Sequence, residues 1–168
     1  MDRSYYDGHA LTIARHPSET DERMMIRILA FAIHADSALA FGKGLSADDE
    51  PDLWQKDLTG AIDLWIEVGQ PDEKRILKAC GRAAHVIVYS YSSTSHIWWA
   101  QMAGKVARAK NLSVFNVSAD ASQTLAEMAA RGMQLQCTIQ DGLIWINGGK
   151  ESVQVDLTAW QTPATAMR

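Results

Sequence analysis

The residues whose types and spacing bear most on chemistry lie in the run Gly60-Ala-Ile-Asp-Leu-Trp-Ile-Glu-Val-Gly-Gln-Pro-Asp-Glu-Lys-Arg-Ile-Leu-Lys78. Ile62, Leu64, Ile66 and Val68 recur at period two and mark one face of a strand, leaving Asp63, Trp65, Glu67 and Gly69 on the other. A carboxylate near the end of a buried strand needs a partner of opposite charge. Glu67 therefore has two readings: a metal ligand or catalytic acid, or one end of a salt bridge to Arg75, Lys78 or an arginine of the first helix. Asp63 stands four residues earlier, about 13 Å away on an extended strand, too far to share an ion with Glu67.

The surrounding pattern predicts the elements that hold this run. Pro17-Ser18 followed by Glu19 and Asp21 opens a helix with Ser18 as N-cap, running to about residue 35 with an apolar stripe of Met25, Ile28, Leu29, Ala32 and Ile33. Residues 39–44 read as a first strand, 46–57 as a polar stretch with Asp48, Asp49, Glu50 and Asp52, and 61–69 as the central strand after a tight connection at Thr59-Gly60. Pro71 suits the first turn of a second helix ending near Arg82. Residues 86–90 form a strand buried on both faces, and strand, helix, strand implies a right-handed parallel crossover. The pattern repeats with a helix over 96–110, a strand over 112–117 and a helix over 121–131 closed by Gly132. Then come strands at 134–139, 143–146 and 153–157, separated by Asp141-Gly142 and Gly148-Gly149 turns, an antiparallel meander. The expected fold is α/β, one domain over residues 1–168, with a mixed β-sheet flanked by helices.

Composition bounds the function classes. The 168 residues suit one well-buried domain, and 47% apolar with 21% charged residues is ordinary for a soluble globular protein. No apolar run approaches a membrane span, and the charged first thirty residues contain no signal-peptide core, so a cytoplasmic protein is expected. Cys80 and Cys137 lack CxxC spacing and read as buried free thiols. A net charge of −4 argues against strong non-specific nucleic-acid affinity while leaving room for a local basic groove.

The central run, together with His16-Pro-Ser-Glu-Thr20, Asp49-Glu50-Pro51, the pair Trp98-Trp99 and the tail Thr138-Ile-Gln-Asp-Gly-Leu-Ile-Trp145, closely resembles the YaeQ family of bacterial proteins along essentially the whole chain. The resemblance implies a variant of the PD-(D/E)XK nuclease core (the restriction-endonuclease-like fold) and a further strand before the point corresponding to Met1, without which a sheet edge is left uncovered. It implies fold more firmly than activity.

Phosphodiester hydrolysis on such a core needs one or two divalent ions held by carboxylates and a lysine or glutamine near the attacking oxygen. The resemblance gives Glu67 the acid of the (D/E)XK element and Glu50 or Asp52 that of the PD element, with Mg2+ or Mn2+ as the implied ion. The chain departs from the pattern at the lysine position, which is Gly69. Gln70 is one residue out of strand phase, and Lys74 and Lys78 on the next helix are the compensating cations, Lys78 first. Glu19 and His16 could be drawn into the site, though a helix-entry acid and a packing histidine are the plainer readings. Ser92-Ser93-Thr94-Ser95 could hold a phosphate or simply cap a helix. Trp98 and Trp99, with Lys105, Arg108 and Lys110, could stack and hold DNA or RNA, but Ile97, Met102 and Val106 give core spacing and favour burial. The expected function is a divalent-metal-dependent nuclease or phosphodiesterase, and the alternative is a catalytically inactive nuclease-fold protein that binds nucleic acid or a protein partner of the transcription or repair machinery.

Overall fold

In a computed structural model, the structure describes residues 20–34, 38–42, 50–129, 135–140, 143–148 and 152–162. The elements are α1 (Asp21–Ile33), β1 (Leu39–Phe41), β2 (Leu53–Lys56), β3 (Ile62–Val68), α2 (Glu73–Arg82), β4 (Ala83–Ser90), α3 (Ser95–Val106), β5 (Leu112–Val117), α4 (Ala119–Glu127), β6 (Gln136–Gln140), β7 (Leu143–Asn147), β8 (Ser152–Val155) and β9 (Leu157–Gln161). The main sheet has the order β1-β2-β3-β4-β5-β9, and β6, β7 and β8 form a separate antiparallel sheet. Strands β3, β4 and β5 run parallel, and β1, β2 and β9 are added through antiparallel pairings, so the sheet is mixed.

Alternation along the parallel strands sorts the core into two layers. Ile66, Val68, Tyr89 and Val117 face α1, α4 and the small sheet, meeting Met25, Ile26, Leu29, Leu125 and Ile146. Trp65, Val86, Val88, Leu112 and Val114 face α2 and α3, meeting Ile76, Ala79, Trp98, Met102 and Val106. Each strand is apolar on both sides because helices cover both, as parallel strands require. Glu67 shares the α2 side with Trp65 by period two.

Several boundaries differ from the sequence-based expectation for local reasons. Thr20 is the N-cap of α1, its hydroxyl accepting from Arg23 N at 3.1 Å; Ser18, like His16 and Glu19, lies outside the described residues. Asp72 caps α2 by accepting from Arg75 N at 2.8 Å, which puts Pro71 just before the helix rather than in its first turn. The polar stretch 46–57 contains β2, hidden by its four-residue length. Strand residues expected over 153–157 divide at Asp156, whose carbonyl accepts from Ser118 N at 3.2 Å as the chain crosses from the small sheet to the main one. Among the described residues no helix is long and apolar enough to cross a membrane.

Candidate functional site

The site is built at the carboxyl end of β3. Glu67 is 3% exposed. Its Oε2 accepts from Arg75 Nε at 2.9 Å and from Trp65 Nε1 at 2.7 Å. Arg75 reaches it because α2 begins after a four-residue connection from the end of β3 and packs on the sheet face that carries Glu67. The same guanidinium donates from Nη2 to the Glu50 carbonyl at 2.7 Å, tying α2 to the segment before β2. Indole and guanidinium converge on one oxygen, and among the described residues no donor is recorded on Oε1.

Asp52, the residue before β2, is 2% exposed. Its Oδ2 accepts from Val68 N at 2.8 Å, and Arg23 Nη2 of α1 donates to Oδ1 at 2.8 Å and Oδ2 at 3.0 Å. Arg23 Nη2 also donates to the Val68 carbonyl at 3.1 Å. The two acids and two arginines thus clasp the last residues of β3 from both faces of the sheet, each buried charge paired and hydrogen-bonded.

Electrostatics differ from a simple ion pair. Burial pushes the Glu67 carboxyl above its ordinary value, and the negative charge of Asp52 pushes it further, while Arg75 and Trp65 pull it down. Glu67 is therefore sensitive to the Asp52 charge as well as to its own burial.

Beyond Val68 the chain leaves strand geometry at Gly69, with φ at +107°. Its N–H donates to the Tyr89 carbonyl at 2.9 Å. A side chain there would be strained in that backbone conformation. Gly69, the residue expected from sequence to stand where a lysine was sought, is thus the point at which the chain turns out of strand geometry.

The candidates separate as follows. Asp52, Glu67 and the Glu50 backbone are brought together, with the Glu50 side chain half-buried beside them. Gln70 is exposed and donates to Thr94 Oγ1 at 2.9 Å in the β4–α3 connection, away from Glu67 Oε2, whose two donors come from elsewhere. Lys74 and Lys78 are exposed on α2. Asp63 is exposed, at the far end of β3. Trp98 is 9% exposed and donates to the Pro71 carbonyl at 2.9 Å, whereas Trp99 is half-buried against Trp160 with ring centroids 5.7 Å apart. No group of three or more His, Cys, Asp or Glu side chains suited to a metal ion occurs among the described residues. Cys80 and Cys137 are free, half-buried, and held up to about 11 by burial.

Sequence reasoning anticipated the Glu67–Arg75 pair as one alternative but missed Arg23 as the partner of Asp52. Its usable signal was slight: an arginine at the third position of an amphipathic helix, which reads as a solvated charge. Trp65 as a donor was also missed, though it stands two residues from Glu67 on one strand face, within reach by period two.

Fold and site together define a mixed α/β domain in which the strand β3 ends at two buried acids, each paired with a part-buried arginine. The chain belongs to the YaeQ family, whose profile, described as YaeQ protein, matches residues 1–157. It is 48% identical over 165 residues to the YaeQ proteins of Salmonella typhi and Escherichia coli (strain K12), covering 98% of this chain and 91% of each relative. The crystal structure of the YaeQ protein from Xanthomonas axonopodis pv. citri superposes with a TM-score of 0.91 at 47% identity, covering 97% of this chain and 93% of that one. That of the YaeQ protein from Pseudomonas syringae gives 0.90 at 34% identity, covering 95% and 89%.

Proposed function

We propose that this YaeQ-family chain is a nuclease-like scaffold that binds without turning over a phosphodiester. The observation that carries this reading is that the acids in nuclease order, Asp52 before the β2–β3 hairpin turn and Glu67 at the end of β3, are neutralised by Arg23 and Arg75. A divalent ion bridging them would have to displace Arg23 from both Asp52 oxygens, and the four charges already sum to zero, so the field that draws a cation is weak. The glycine at φ +107° in the lysine position supports the same reading. The acids then act as structural clamps on the strand end, and the resemblance to the PD-(D/E)XK core supplies a surface rather than a reaction.

A metal-dependent phosphodiesterase, using Mg2+ or Mn2+ on Asp52, Glu67 and Glu50 with Gln70 or Lys78 as helper, is the second reading. It is favoured by the rise in the Glu67 carboxyl that Asp52 contributes, a repulsion a bridging cation would relieve, and by an Oε1 to which none of the described residues donates. Calorimetric titration of Mg2+ and Mn2+ into wild type and Glu67→Gln separates the two. The binding scaffold gives no saturable heat at millimolar metal in either protein. Saturable binding to wild type that Glu67→Gln abolishes, accompanied by cleavage of DNA or RNA, would overturn it in favour of the enzyme.

A further inference from the structure

Between Glu73 and Asp120 the chain contains no carboxylate side chain, yet besides Arg75 it carries Lys74, Lys78, Arg82, Lys105, Arg108 and Lys110. In a protein of net charge −4 this is an island of positive charge. The fold turns the run into a surface. Helices α2 and α3 are consecutive crossovers between parallel neighbours β3, β4 and β5, both cover the same side of the sheet, and they pack against each other. Asn111 Nδ2 donates to the Cys80 carbonyl at 3.0 Å and the Ala83 carbonyl at 2.9 Å, pinning the turn after α3 to the end of α2. That brings Lys110 alongside the end that carries Arg82.

All six side chains are exposed. Lys74, Lys78 and Arg82 recur every four residues, a stripe about 12 Å long on α2. Among the described residues, none of Lys74, Lys78, Lys105, Arg108 and Lys110 forms an ion pair. Gathering like charges on one face without acids between them costs stability through mutual repulsion, which a bound polyanion reverses. At the sheet edge beside α3, the half-buried Trp99 and Trp160 stack at 13° between their planes, and Gln161 Nε2 donates to the Val106 carbonyl at 3.0 Å. Aromatic rings next to a row of cations suit a strand of bases on a phosphate backbone better than an acidic peptide.

We infer that the outer face of α2 and α3 binds the phosphate backbone of a nucleic acid, resting on the binding reading above and giving it its partner. The six cations are exposed to solvent whereas the Asp52 and Glu67 carboxylates are buried beneath, so binding here does not require metal there. The test is fluorescence anisotropy with a labelled single strand of about twenty thymidines over a salt series, using the full chain. Wild type binds with an affinity that falls linearly in log[salt]. Lys105→Glu with Arg108→Glu and Lys110→Glu lowers affinity at least about tenfold at low salt, and lowers the salt slope by about 0.7 for each lost phosphate contact. Gln123→Glu with Ser152→Glu, away from this face, keeps the wild-type slope. Should the triple variant fail to fold, Lys105→Gln with Lys110→Gln is read by the same slope. No binding by wild type at about 50 mM salt overturns the inference, as does an unchanged slope in a folded variant or binding to phosphatidylserine vesicles in place of the strand. Cleavage of the strand in Mg2+ would instead overturn the scaffold reading and leave this surface standing.

Discussion

Asp57 and Glu67 stand at opposite ends of the β2–β3 hairpin, each accepting hydrogen bonds through one carboxylate oxygen, and their carboxyl groups are displaced in opposite directions. Asp57 Oδ1 accepts from the Thr59 hydroxyl at 2.6 Å, the Thr59 N–H at 2.8 Å and the Ala61 N–H at 3.0 Å, an Asx-type turn in water. The Thr59 hydroxyl, then its N–H, holds Asp57 below the ordinary value. Glu67 has a full positive charge at 2.9 Å and is nevertheless raised, because burial and Asp52 outweigh Arg75 and Trp65. Donors alone do not decide the state of an acid; how much water it has lost does. The first carboxylate holds a turn, and the second is a buried charge that depends on its partners.

That contrast orders the ways of breaking the structure. Arg75→Met should cost the most, about 3 kcal/mol or more, because it leaves Glu67 buried with one indole donor; urea denaturation of the variant measures it, and a loss comparable to a surface substitution would show the pair to be solvated. Arg23→Met should fall slightly short of that, since Asp52 retains the Val68 N–H. Trp65→Phe keeps most of the packing and removes one hydrogen bond to a charged acceptor, a loss of about 2 kcal/mol in the same assay. The smallest effect belongs to Asp57→Ala, a shift in melting temperature below that of any of the buried substitutions.

The pH dependence of stability sharpens the same contrast. Glu67 is raised in the folded state, so its contribution is fully present below its unfolded value near 4.5 and is lost as pH rises through the folded value. Glu67→Gln should therefore gain on wild type as pH increases above 4.5. Asp57 is lowered from 3.8, so its contribution is present above that value and is lost as pH falls through the folded one. Asp57→Ala should converge with wild type at the acid end. Melting temperatures of both variants across pH 3 to 7 would show opposite trends, and parallel curves would contradict the assignment of burial as the dominant cause.

Much of this molecule is legible along the chain. Period-two alternation marks β3, and β-branched runs mark β4 and β5, with β5 lying over the expected residues. Strand, helix, strand spacing was enough for the parallel order, and the two glycine turns for the small sheet. The short strands β2, inside the main sheet, and β9, at its edge, were not legible, because four or five residues next to acids or amides give no period to count. Nor was the break at Asp156, which depends on a carbonyl reaching Ser118 in another element.

At the site the division is similar. Glu67 is identifiable from sequence as a carboxylate on a strand that must be buried, with Arg75 eight residues on as a possible partner. The stretch from Glu73 to Asp120 without a carboxylate can equally be counted in the sequence. Only the tertiary structure decided that Arg23 comes from α1 to close Asp52, that Trp65 donates to Glu67, that Gly69 turns the chain where a lysine was sought, and that the two helices flanked by the six exposed cations cover the same side of the sheet. Period and composition are properties of neighbours in the chain. Charge pairing and the surface that charges occupy depend on distances between elements that only packing sets.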